Sequence, residues 1–101
     1  MDRRLNLHNK LKSILQSDNV YFQPPPSVKL KYPCIVYKRT DVNTINADNM
    51  IYHMYCRYTL TLIGSNPESD YIKQILDLPY CSYNRFFTSD GLNHDVFDLY
   101  Y

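Results

Sequence analysis

One segment limits what this chain can become. From Met50 to Ile63 the residues alternate: Tyr52, Met54, Cys56, Tyr58, Leu60 and Leu62 fall on one side, His53, Arg57, Thr59 and Thr61 on the other. A period of two is the signature of a strand with one buried side. At about 3.3 Å per residue the segment would run roughly 40 Å, about twice an ordinary strand. The run Tyr32-Pro33-Cys34-Ile35-Val36-Tyr37-Lys38-Arg39 precedes it across a polar stretch from Asp41 to Asn49, so the two form the arms of a long β-hairpin. A domain of about 100 residues cannot cover all of that length, and the turn end is expected to project. The register stays open, because Ile35 and Tyr37 compete with Cys34 and Val36 for the core side.

The remaining elements follow from local pattern. Leu7, Leu11, Ile14 and Leu15 mark one apolar stripe on a helix from about Arg3 to Gln16, with Asp2 as a candidate N-cap. Asn19 to Gln23 reads as a short strand, ended by Pro24-Pro25-Pro26, since proline lacks the N–H that a ladder needs. After Ile63, Asn66 can cap a second helix with Pro67 in its first turn, running to about Leu78. Tyr80–Thr88 and His94–Tyr101 read as strands around a turn at Asp90-Gly91. The expected fold is a single α+β domain spanning residues 1–101. Its element order is α-β-β-β-α-β-β, with an antiparallel sheet, two helices packed on one face and the long hairpin projecting.

Composition sharpens this picture in two places. Of 15% aromatic residues most are tyrosine, eleven against four phenylalanines and no tryptophan. A ring with a polar tip suits half-buried strands and partner surfaces. Formal charge is only +1, yet residues 1–40 hold eight Lys/Arg against two acidic residues, and residues 41–101 hold three against eight. Such asymmetry suits either a polyanionic partner or association of unlike surfaces of the same molecule. Cys34, Cys56 and Cys81 lie in apolar runs without paired spacing, which points to reduced thiols in a cytosolic setting. No stretch approaches the roughly 20 apolar residues of a membrane span, and the N-terminal pattern is an amphipathic helix and not an apolar signal core.

Little in the chain suggests catalysis. His8, His53 and His94 lack metal-ligand spacing with each other or with the cysteines, so no metal is expected. His94 and Asp95 are neighbours in a strand and point to opposite sides, which removes them as an acid–base pair. Asp41, Asp48 and Asn49 lack the glycine and terminal glutamate of a calcium loop. With two glycines there is no phosphate cradle. The expectation is therefore no catalytic residue and no cofactor. Lys29, Lys31, Lys38 and Arg39 interleaved with tyrosines leave nucleic-acid contact as a lesser alternative, although no sequence-reading motif accompanies them.

Several blocks together resemble the small tail terminator proteins of long-tailed bacteriophages, also called tail completion or tail-to-head joining proteins. They are Asn19-Val20-Tyr21-Phe22-Gln23-Pro24-Pro25, Tyr32-Pro33-Cys34-Ile35-Val36-Tyr37, Tyr58-Thr59-Leu60-Thr61-Leu62-Ile63 before Asn66-Pro67, and Arg85-Phe86-Phe87-Thr88-Ser89-Asp90-Gly91-Leu92-Asn93-His94-Asp95-Val96-Phe97. The resemblance implies a structural virion protein, assembled in the host cytoplasm, that forms a ring, usually a hexamer, on the head-proximal end of the tail tube. Such a ring ends tube polymerisation and offers a surface for head attachment. Its implied partners are further copies of itself, the tail tube protein, head connector proteins, and DNA passing through without sequence-specific binding; no membrane is implied. The neighbouring alternative is a head–tail connector or adaptor ring. Within this reading Arg39, Asp41, Asn46, Asp48, Asn49 and Arg57 are the expected contacts between copies or with partners, as charged or polar residues along the hairpin and its tip.

Overall fold

The computed structural model describes residues 2–47, 50–66 and 69–101. Along the chain they form α1 (Asp2–Leu15), β1 (Val20–Phe22), β2 (Cys34–Ala47), β3 (Met50–Gly64), α2 (Tyr71–Leu76), β4 (Cys81–Ser89) and β5 (Leu92–Tyr100). The α+β class and the element order agree with the sequence reading. The five strands make one sheet in the order β1-β2-β3-β5-β4.

The sheet is mixed, not wholly antiparallel as expected. β1 runs parallel to β2, with Val20 opposite Ile35 and Phe22 opposite Tyr37. The cause is the connection. Parallel neighbours need a crossover of about a dozen residues, and the proline-rich stretch between Phe22 and Cys34 supplies one where a tight turn would have reversed the chain. All other pairings are antiparallel.

The hairpin register is settled by burial on the helix side. Ile35 and Tyr37 take the core positions, opposite Leu62 and Leu60, and β5 adds Phe97 and Leu99 opposite Leu60 and Tyr58. These side chains join Leu7, Leu11 and Leu15 of α1 and Ile75 of α2 in one cluster. The stripe seen in α1 is thus the stripe that docks, and both helices cover one face of the sheet. Tyr37 is fully enclosed, with the Phe22 and Tyr58 rings packed 4.9 and 6.0 Å away between centroids. The opposite face carries no helix. It bears Val36, Thr59, Thr61 and Val96 with Cys34 and Ile63 at one end, and Cys34, Ile63 and Val96 are buried even there by their strand neighbours.

Element ends differ from the sequence expectation in physical detail. α1 begins at Asp2 itself, so Asp2 belongs to the first turn and not to the cap. It closes at Gln16 in the left-handed region (φ 54°), where the Ser17 N–H donates to the Lys12 carbonyl at 3.3 Å, a Schellman-type end without glycine. α2 begins later than expected: its N-cap position is Asp70, not Asn66, and the Tyr71 N–H is accepted by the Ser69 hydroxyl at 3.2 Å. Pro67 and Glu68 lie outside the described residues. The β4–β5 turn has Asp90 and Gly91 both at positive φ (54° and 75°), the type I′ geometry that Asp-Gly favours.

The hairpin projects. β5 covers β3 only from Arg57 to Gly64, and β1 covers β2 only at Ile35–Tyr37. Past the last outer contact, in which the Tyr101 N–H donates to the Cys56 carbonyl, Asp41–Ala47 and Met50–Tyr55 continue as a two-stranded arm. At ~3.3 Å per residue the arm reaches roughly 20 Å beyond the sheet. The molecule accordingly measures 51 × 27 × 23 Å, and its radius of gyration of 14.6 Å exceeds the roughly 13 Å of a compact 100-residue domain.

Candidate assembly surface

Three surfaces could carry function: the arm, the free edge of β4, and a small cavity beside α2. The arm emerges from β2 and β3 through a register shift between Arg39 and Asp41, and a second shift lies between Ile45 and Asn46. Such bulges bend and twist a ribbon. Of the residues expected to make contacts, Asp41 and Asn46 lie on the arm, and Asp48 and Asn49 lie outside the described residues.

Arg39 and Arg57 are not brought together. Arg39 stands opposite Tyr58 on the helix side of the sheet, and is exposed. Arg57 is on the open face, where its guanidinium lies 3.4 Å from the Asp98 carboxylate. The same carboxylate accepts from Asn84 Nδ2 at 2.9 Å and from the Thr59 hydroxyl at 3.5 Å. Arg57, whose side chain is 39% exposed, joins a polar cluster that ties β3, β5 and β4 together. Its Nε is buried and finds no acceptor among the described residues.

β4 is the surface that pattern reading recognised as a strand and passed over as a site. It occupies the sheet's outer edge, so the backbone groups on its far side have no strand neighbour. Every residue from Ser82 to Ser89 is exposed. Tyr80, Tyr83, Phe86 and Phe87, with Tyr100 of β5, expose between 38% and 78% of their surface, which gathers exposed aromatic side chains on and beside this edge. A bulge between Tyr83 and Arg85 divides the strand. Tyr83 and Phe86 then lie on the helix side, opposite Phe97 and Asp95, whereas Arg85 and Phe87 lie on the open side, opposite Val96 and His94. Phe87 stacks on His94 at 4.6 Å, and the Arg85 guanidinium sits 5.4 Å from the Phe87 centroid. The signal available in the sequence was Phe86-Phe87 in a strand next to the C-terminal one, an aromatic pair that a one-sided strand would not carry on both faces.

The cavity, of about 220 Å³, opens between the end of β3 and the start of α2, lined by Pro33, Leu62, Gly64, Ser69, Tyr71 and Asp95 among others. It is below the 300–1,000 Å³ usual for ligand pockets. Asp95 and His94 point to opposite faces, as expected, and Asp95 is buried, at 3% exposed. The Tyr83 hydroxyl donates to its Oδ1 at 2.7 Å, and local desolvation of that hydroxyl, then the hydrogen bond and the carboxylate's charge, push the phenol up to about 12 although the side chain as a whole is exposed. At the other end of the core, His8 Nδ1 lies 2.7 Å from the Tyr37 hydroxyl. Burial, then the positive charges of Lys12 and Arg4, hold this imidazole below its ordinary value. Burial raises the Cys34 and Cys81 thiols to about 11, with the Asp98 charge adding to the effect at Cys81, so little thiolate forms near neutrality. No group of three His, Cys, Asp or Glu side chains able to hold a metal occurs among the described residues.

No protein family, curated protein or solved structure matches this chain.

Proposed function

We propose that this chain is a structural assembly protein of the tail terminator kind. Copies of it form a closed ring on the head-proximal end of a phage tail tube, ending tube growth and presenting the surface to which the head connector attaches. DNA passes through the ring without being read. The observation that carries the reading is the arm, which leaves the sheet by roughly 20 Å and among the described residues has no third strand beside it. Two further features support it. The free β4 edge is rich in exposed aromatic side chains, the residue class enriched where proteins meet. The lopsided charge of the chain, eight Lys/Arg against two acidic residues in residues 1–40 and three against eight in residues 41–101, suits a heterologous interface that closes by rotation.

The direct test is light scattering of the purified protein, followed by electron microscopy of tail tubes grown in its presence. Rings on one end of each tube, with tube elongation halted, are the expected result. A protein that remains monomeric both free and with tubes refutes the proposal. Capture of the portal complex without capture of tube protein redirects the assignment to a connector or adaptor ring.

A further inference from the structure

The β4 edge and the arm have complementary deficiencies. β4 offers nine residues, Cys81–Ser89, with one side of its backbone unpaired, and an unprotected edge of that length is a template for another strand. Its aromatic side chains stand on both faces of the sheet, Tyr83 and Phe86 on one and Phe87 on the other. A helix or loop laid on the molecule would cover one face only. A strand added in the plane of the sheet sets its own side chains beside both. The arm supplies such a strand: each of its two chains is paired on one side only, Asp41–Ala47 and Met50–Tyr55 having lost the coverage of β1 and β5.

Charge selects between the possible occupants. Between Thr40 and Cys56 the only Asp, Glu, Lys or Arg residues are Asp41 and Asp48, with His53 the single imidazole. Along Tyr80–Ser89 the only one is Arg85, which is exposed at mid-strand. Two β4 edges meeting antiparallel about their centres would bring Arg85 against Arg85, and like charges directly opposite are unfavourable. An arm against β4 sets a segment with a formal charge of −2 beside one with a formal charge of +1.

We propose that the β4 edge is the receiving surface for the arm of a second copy of this chain, added to the sheet as a sixth strand. The contact is heterologous, arm to edge, so each copy uses both surfaces with different neighbours and the chain of contacts can close into a ring. This inference rests on the self-assembly proposed above and assigns it a surface.

Hydrogen–deuterium exchange on the full-length protein across a concentration series tests it, with oligomer size followed by light scattering. In the oligomer the amides of Cys81–Ser89 and of the arm gain protection together, because edge N–H groups that faced water become hydrogen-bonded. Phe86→Glu, at a side chain 48% exposed in the free chain, weakens association by about tenfold or more and leaves the circular dichroism of the monomer unchanged. An oligomer in which β4 stays unprotected overturns the assignment of this surface and leaves self-assembly standing. Protection of β4 without the arm overturns the assignment of the occupant. A chain that stays monomeric at every concentration overturns the inference, and tube capping by that monomer shows whether the broader reading falls with it.

Discussion

Leu60→Ala measured beside Thr61→Ala tests the register on which both proposed surfaces depend. Leu60 is fully buried at the centre of β3, flanked by Tyr37 on β2 and Phe97 on β5. The substitution removes three carbons, worth about 2.4 kcal/mol at ~0.8 kcal/mol per buried CH₂. The cavity left among rigid aromatic neighbours raises the cost to about 3–4 kcal/mol, within the range of buried leucine truncations. For a domain of 101 residues this is a large part of a total stability of about 5–15 kcal/mol, and the melting temperature falls by roughly 15–25 °C. Thr61, one residue on, faces the open side and is half-exposed, so Thr61→Ala costs less than about 1 kcal/mol. Urea unfolding followed by tyrosine fluorescence, at concentrations where light scattering finds only monomer, gives both values. A slip of one residue would move every side chain of β3 to the other face. Equal losses in the two variants, or a loss below about 1 kcal/mol for Leu60→Ala, would refute the packing described above.

Two further outcomes follow from the polar groups. The His8 imidazole is held below its ordinary value in the folded chain, so its contribution to stability is complete above about pH 6.5 and is lost as pH falls through its lowered folded value. The urea midpoint of the native protein should therefore drop between pH 7.5 and 5.5 by more than that of His8→Asn, and equal drops would exclude the imidazole as the cause. Arg57→Glu should destabilise the monomer by about 1–2 kcal/mol by setting a second carboxylate against Asp98, whereas Arg39→Glu should stay within about 0.5 kcal/mol of native. Thermal melts of the two variants distinguish them, and equal stability would show that the Arg57–Asp98 pair contributes nothing.

Strand and helix identity were legible wherever period and burial agreed. The alternation of Tyr58, Leu60 and Leu62 and the Leu7–Leu11–Leu15 stripe both marked the side chains that meet in the core. The register of β2 was not legible, because Cys34 and Ile35 are both fully buried, one on each face, and burial on both sides erases alternation. The parallel pairing of β1 was hidden for a different reason: three prolines announce that a ladder stops, but direction is decided by where the next strand lands. The intrachain partner of Arg57 was not legible, since Asp98, and Asn84 that donates to the Asp98 carboxylate, lie on strands distant in sequence. The exposed edge was not legible either: Phe86-Phe87 marks a strand with an aromatic ring on each face, but only the strand order places β4 at the edge of the sheet.

The arm and the edge make most sense together. A two-stranded ribbon is marginally stable in water by itself and gains independent stability from a third strand or a covering helix. This chain builds such a ribbon past the reach of β1 and β5 and gives it neither. It also leaves a nine-residue edge strand lined with aromatic side chains, a feature that single domains ordinarily shorten, charge or cover. Each is a liability in an isolated molecule, and each is removed by the other when the arm of one copy completes the sheet of the next. Selection for a stable monomer alone would trim the hairpin near Arg39 and Tyr58, where the core ends, and would place lysine or proline along β4. Retaining both features follows if the working form is the assembly, in which the ribbon gains its third strand and the edge its neighbour.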